Sequence, residues 1–169
     1  MYRKILVPID GSTTSQGGLR EAIKLAKNQG AQLRLFHMVS DPVFDCGYGS
    51  GSFGGELIAS AHEAGRAIVS EALAITRHEG LEPETVMVDS LTGSAAASIV
   101  AEAKAWAADL IVMGTHGRKG LIRLAIGSDA ESVVREAPVP VLLVHDLLPA
   151  ADTVRSKDSV EASGDVVYA

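Results

Sequence analysis

Short apolar runs, separated by longer stretches with helical spacing, organise most of the chain. Lys4 to Ile9, Gln32 to Met38, Thr85 to Val88, Asp109 to Met113 and Val139 to Val144 are brief and β-rich, and runs of that length between turn residues predict strands. Between them, Leu19, Ala22, Ile23 and Ala26 fall on one side of a 3.6-residue spiral, as do Ile58, Ala61, Gly65, Ile68, Ala72 and Ile75. A third helix is predicted over Ala95 to Ala107, with Ile99, Ala103 and Trp106 inward, and a fourth over Asp129 to Glu136, with Val133 and Val134 inward. Trp106 in that spacing is a core residue rather than a platform for a ligand. Alternation of strand and helix predicts an α/β fold with a five-stranded parallel sheet covered by helices on both faces. In a doubly wound sheet of order 3-2-1-4-5, strands 1 and 4 are neighbours whose connections leave toward opposite faces. Ligands of such sheets bind in the crevice past the carboxyl ends of those strands.

Two segments fall outside the alternation. Pro42 to Gly55 carries glycine at 47, 49, 51, 54 and 55 and predicts a long flexible flap. The tail after His145 lacks a sustained period and holds −3 of the net charge of −6, from acids at 146, 152, 158, 161 and 165 against bases at 155 and 157. One domain over residues 1–146 with an appendage at 147–169 is therefore expected, and 169 residues suit a single core.

Composition narrows the class. Apolar residues at 47% against 21% charged exclude a disordered chain, and no apolar run approaches the roughly 20 residues of a membrane span. Met1 to Val7 runs directly into strand 1 without the apolar stretch of a secretory signal, so a soluble, cytoplasmic protein is expected. A single cysteine, Cys46, excludes an intrachain disulfide and a Cys-rich zinc site, and is read as incidental. The acidic balance disfavours nucleic acid, which calls for a basic surface.

Glycines mark the candidate chemistry. Gly49-Ser50-Gly51-Ser52-Phe53-Gly54 fits G-x-G-x-x-G, yet it lies about ten residues past strand 2, whereas a dinucleotide fingerprint turns directly from strand into helix. Gly114-Thr115-His116-Gly117 directly follows strand 4, and Gly127-Ser128 opens helix 4. Glycines let a backbone approach phosphate oxygens, and a helix start adds unpaired N–H donors and the positive end of its dipole. No Walker lysine is present. Ser128-Asp129-Ala130-Glu131 also reads as a capping box, which would explain Ser128 structurally but does not explain the glycines at 114, 117 and 127. Asp10, just past strand 1, reads as a turn residue; with Thr13-Thr14-Ser15-Gln16 able to cap helix 1, it is left to accept hydrogen bonds from sugar hydroxyls. Asp10 and Gly114 would then face each other across one crevice.

On these residues the chain resembles the ATP-binding branch of the universal stress proteins. Val7-Pro8-Ile9-Asp10-Gly11-Ser12 is similar to the family's opening strand, Phe36-His37-Met38-Val39 to the end of its second, and Gly114-x2-Gly117-x9-Gly127-Ser128 to its nucleotide motif. The resemblance spans about residues 1–146 and implies a Rossmann-like, adenine nucleotide alpha hydrolase-like fold. It implies adenine beside Pro8, Ile9 and Met38, ribose at Asp10, and phosphates among Gly114, His116, Gly117, Gly127 and Ser128, with Met113 on the floor and Arg118 adding charge. The implied ligand is ATP, or ADP or AMP in its place, with Mg²⁺. Asp129 departs from the pattern; it is read as an outward partner of the helix dipole, the other reading being a side chain near the Mg²⁺.

The resemblance further implies a homodimer through the last strand, Val139 to Val144, and an exposed apolar edge strand independently calls for pairing or cover. Either a second copy or the tail would supply it. No Ser-His-Asp or metal-ligand cluster stands out, so at most slow ATP hydrolysis or autophosphorylation is expected. The function expected is a nucleotide-dependent regulatory dimer in the stress response. The alternatives are a dimerising interaction module that uses no nucleotide and an enzyme of the related adenine-nucleotide folds.

Overall fold

The computed structural model describes residues 1–40, 54–90, 94–115 and 126–145. Strand and helix alternate as β1 (Lys4–Pro8), α1 (Thr13–Gln29), β2 (Gln32–Ser40), α2 (Gly54–His78), β3 (Glu84–Ser90), α3 (Ala95–Ala105), β4 (Leu110–Gly114), α4 (Ser128–Glu136) and β5 (Val141–Val144). The strands make one parallel sheet of order β3-β2-β1-β4-β5, the order expected of this doubly wound fold.

β1 is the middle strand, and its uninterrupted apolar run follows from being covered on both faces. Its pleat sends Ile5, Val7 and Ile9 to one core with Leu33, Leu35, Leu110 and Val112, beneath Leu19, Ala22, Ile23 and Ala26 of α1 and Ala72 of α2. Leu6 goes to the opposite core with Phe36, Ile111 and Met113, beneath Ala96, Ile99 and Ala103 of α3 and Ala130 and Val133 of α4. Each fully buried Leu, Ile or Phe contributes about 1.5–3 kcal/mol, so the two cores carry the fold. The helix after β1 and the helix after β4 therefore lie on opposite faces, which places the topological switch between these two strands.

Several sequence expectations shift: Ile58, expected on the core face of α2, is 39% exposed, and α3 ends at Ala105 rather than Ala107. The glycine-rich segment does not run to Gly55 as loop, because α2 already begins at Gly54; Cys46 and the glycines from 47 to 51 lie outside the described residues, as does the tail from 147. Val134 does not face the core: it is 51% exposed while Val133 is fully buried, because α4 meets the sheet along a single narrow stripe through Ala130 and Val133. β5 starts at Val141 rather than Val139, since Pro140 has no N–H to give and enters the ladder only through its C=O, which accepts from Ile111 N at 3.0 Å. Trp106 is buried, as its spacing predicts, with the Arg34 guanidinium 4.5 Å and the Lys4 ammonium 5.3 Å from its ring centroid. No described helix is long and apolar enough to cross a membrane.

Candidate functional site

At the carboxyl end of β1, Ile9 is tied to β2 at both backbone groups. Its N–H donates to Phe36 O at 2.8 Å, and its C=O lies 2.7 Å from His37 Nδ1. The Ile9 side chain is buried in the core under α1 and α2. Asp10 follows, and Gly11 then takes φ of +81°, a value that suits glycine, with Ile68 of α2 only 3.1 Å from where a Cβ would stand. This turn delivers the chain to Ser12, which caps α1 by accepting from Ser15 N at 3.2 Å.

Asp10 is not left over by that cap. Its Oδ1 accepts from Ser12 N at 2.9 Å and from Ser12 Oγ at 2.6 Å, while Asp10 N donates to Ser15 Oγ at 3.3 Å. The sequence expectation of a cap within Thr13 to Gln16 and an uncommitted Asp10 is corrected here. An Asp side chain bonds the backbone two residues on whenever a turn brings that N–H round, and Gly11 makes that turn. The carboxylate is thus preoriented rather than mobile.

At the end of β4, Gly114 is required by the chain's own packing. A Cβ there would lie 2.6 Å from Thr14 C and 2.7 Å from Thr14 O, and a Cβ on Gly18 would lie 3.1 Å from Gly114 N. The two glycines let the first turns of α1 settle onto the end of β4. Thr115 then joins three segments: its N–H donates to Val144 O at 3.0 Å, its C=O accepts from Gly127 N at 2.8 Å, and its Oγ1 is 3.1 Å from His145 Nδ1. The Gly127 bond closes the neck of the segment between β4 and α4. His116, Gly117 and Arg118 belong to that segment and lie outside the described residues.

The capping box expected at Ser128 is absent. Gly127, at φ −64°, is the N-cap of α4 and no side chain caps the helix; Ser128 is its first residue, one position too late to cap. Glu131 does not reach back either, since its carboxylate accepts from Arg135 at 2.6 Å. Ser128 and Asp129 are exposed at the helix start, with Asp129 in the first turn, where an acid suits the dipole.

The structure therefore brings Asp10, the first turn of α1, Gly114, Thr115 and the start of α4 to one edge of the sheet. Two helices begin there, and the first-turn N–H groups of each have no acceptor within their own helix. α1 carries no acid in its first turn, but the Asp10 carboxylate, on the N–H of the N-cap Ser12, already faces its positive end. Met38 and Met113 lie toward the other core, on the face opposite Ile9, so Ile9 and Met38 do not share a wall. Such an edge can hold an anion on helix N–H groups and accept hydroxyl hydrogen bonds at Asp10. Among the described residues, no three or more His, Cys, Asp or Glu gather as a metal site. Ser12, Ser15, Thr115 and His145 escaped sequence reasoning as site residues. His37 also escaped it, although a polar residue inside the apolar run Phe36-His37-Met38 is a visible signal.

A family model described as the universal stress protein family matches residues 1–145. A universal stress protein of Methanocaldococcus jannaschii is 36% identical over 145 residues, covering 85% of this chain and 82% of that protein. Among solved structures, the universal stress protein UspA from Lactobacillus plantarum superposes with a TM-score of 0.73 at 26% identity, covering 85% of this chain and 97% of that one. A universal stress protein from Archaeoglobus fulgidus, in complex with dAMP, has a TM-score of 0.60 at 28% identity, covering 85% and 98%. From the strand order to the full span of the family match, the chain belongs to the universal stress protein family.

Proposed function

We propose that this chain is an adenine-nucleotide-binding regulator that takes ATP across the carboxyl ends of β1 and β4. The observation that carries this reading is the preoriented Asp10 carboxylate, held by Ser12 beside the start of α1 at an edge where α4 also begins. The carboxylate suits a ribose hydroxyl, and the helix starts suit phosphate. The relative that binds dAMP supports the same ligand class. Ribose would lie at Asp10 and phosphates at Gly114, Gly127 and Ser128, with Ile9 acting through the chain it anchors. Mg²⁺ keeps several waters and takes phosphate oxygens, so it would arrive with ATP rather than in a protein cage. Regulation would pass through a homodimer that pairs β5, the edge strand on which Leu142 is 37% exposed. At most slow hydrolysis accompanies binding.

Equilibrium dialysis with ATP, ADP and AMP, with and without Mg²⁺, tests the reading on the wild type, Asp10→Ala and Asp10→Asn. Asparagine preserves the bond to Ser12 N and removes the charge. Wild-type binding with at least roughly tenfold loss in Asp10→Ala, the cost of an unmade charged hydrogen bond, is expected. Equal affinity in all three proteins overturns it. The exposed edge of β5 also favours a second reading, a dimeric interaction module that uses no nucleotide; native mass spectrometry of a nucleotide-free dimer that neither gains nor loses mass with ATP would establish that one.

A further inference from the structure

Of the histidines described, His37 alone is buried, at 5% exposure. It sits on β2 directly after Phe36, the last β2 residue in register with β1, where Phe36 pairs with Pro8. Past that pair its Nδ1 lies 2.7 Å from the Ile9 C=O, a bond between residues 28 apart in sequence. A carbonyl only accepts, so Nδ1 carries the proton and donates. The imidazole supplies a bond that holds Ile9 against β2 beyond the last register pair. α2 is shaped around the ring: a Cβ on Gly65 would lie 3.0 Å from His37 Cδ2 and Nε2. The ring is thereby fixed between α2 and the carbonyl it serves.

Ile9 is the last residue before Asp10. With its N–H on Phe36 and its C=O on His37, the chain enters the Asp10 turn from a fixed point. On the far side, Ser12 holds the carboxylate and Ser15 Oγ accepts from Asp10 N. We infer that His37 is a positioning residue of the nucleotide site, whose Nδ1–H sets the Asp10 carboxylate in place through Ile9. This inference rests on the adenine-nucleotide reading of the cleft.

Side-chain geometry supplies the test. An asparagine carries an amide nitrogen at the branch position of Nδ1, whereas a glutamine carries its amide at the reach of Nε2. Two quantities are measured on full-length wild type, His37→Asn and His37→Gln: amide hydrogen exchange from Asp10 to Ser15 without ligand, and ATP affinity by dialysis. His37→Gln should speed exchange in that segment and weaken ATP, each by roughly tenfold, the size of one lost buried hydrogen bond. His37→Asn should stay within about threefold of wild type in both, by the same reasoning. Equal behaviour of Asn and Gln overturns the inference, as does faster exchange in His37→Gln with unchanged affinity, because a merely structural role predicts either. A wild type that binds no nucleotide overturns the adenine-nucleotide reading and the nucleotide half of this inference with it; the exchange contrast still decides whether His37 holds the turn.

Discussion

The two ends of the sheet are built from different chemistry. At the amino ends of the strands, charges are matched to one another. Arg34 pairs with Glu84 and with Glu102, at 2.5 Å for the latter, Lys4 Nζ donates to Trp106 O at 3.2 Å, and Asp109 accepts from the N–H groups of Arg3 and Lys4 at 2.8 and 3.1 Å. Partial burial opposes the Arg34 charge, but hydrogen bonds and attraction from Glu84 and Glu102 outweigh it and raise the guanidinium above its ordinary value. At the carboxyl ends of β1 and β4 the described residues are chiefly glycines, small hydroxyl side chains and helix starts, with Asp10 held by Ser12, while His62 and Asp89 pair at the end of β3. One end spends its polar groups on holding the sheet together; the other aims them at the edge where open α/β sheets take ligands. The difference separates polar groups spent within the fold from polar groups gathered at the candidate site.

The largest expected effect blurs that division and defines its limit. Gly114→Val should destabilise the fold by about 2–4 kcal/mol, because its Cβ meets the backbone of Thr14 at 2.6 Å and backbone does not yield as a side chain does. Urea unfolding checks it, and stability within about 0.5 kcal/mol of wild type would remove the packing account. Lost nucleotide binding in that variant would report a damaged fold, which is why Asp10 is the better probe.

Next comes the opposite end. Arg34→Ala should cost about 2 kcal/mol, since it strands Glu102, whose side chain is only 16% exposed, and uncovers Trp106, while Glu84 at 51% exposure contributes little. ATP affinity should not change beyond about twofold, as no polar contact to the carboxyl end is lost. A larger change would erase the separation between the two ends.

Two helix starts sharpen it further. Ser94 caps α3 by accepting from Ala97 N at 3.1 Å, so Ser94→Ala should cost about 1 kcal/mol. Ser128→Ala should cost less than about 0.5 kcal/mol, because that hydroxyl caps nothing. Parallel thermal melts of the two variants distinguish a serine that caps its helix from one that does not.

The smallest effect is electrostatic. The Lys27 ammonium, 2.8 Å away, donates to Glu79 and by hydrogen bonding and attraction holds its carboxyl below the ordinary 4.5. A lowered folded-state value means this contribution is complete above the ordinary value and is lost as pH falls through the lowered one. Both side chains are exposed, so Glu79→Gln should differ slightly from wild type at neutral pH and not at all in acid, as read by unfolding midpoints across the acid range.

The sheet was legible in the sequence because a central parallel strand buried on both faces must be apolar throughout, as Ile5, Leu6 and Val7 are. Helix faces were legible where the stripe is wide, as in α1, and only in part in α4, where Val133 is buried as expected but Val134, about 100° further round the helix, is exposed. The site was half legible. Asp10, Gly114 and Gly127 stand where strands end and helices begin, but the partners that define them are remote: Gly114 answers to Thr14, and Ile9 to His37. Ser128 misled because a capping motif specifies residue types, whereas capping also requires the helix to begin one residue later than it does.

The sequence by itself determined the alternation of strands and helices and the parallel, doubly wound class of sheet that follows from it, because periodicity and turn chemistry act over a few residues. Only the tertiary structure decided what each polar and small residue at the carboxyl edge is for. Gly114 serves the approach of α1, Ser12 rather than a later residue caps that helix, and Asp10 is held before any ligand arrives. Those assignments depend on which backbone comes within about 3 Å of which side chain, a distance at which hydrogen bonds and steric contacts operate and which no local pattern records.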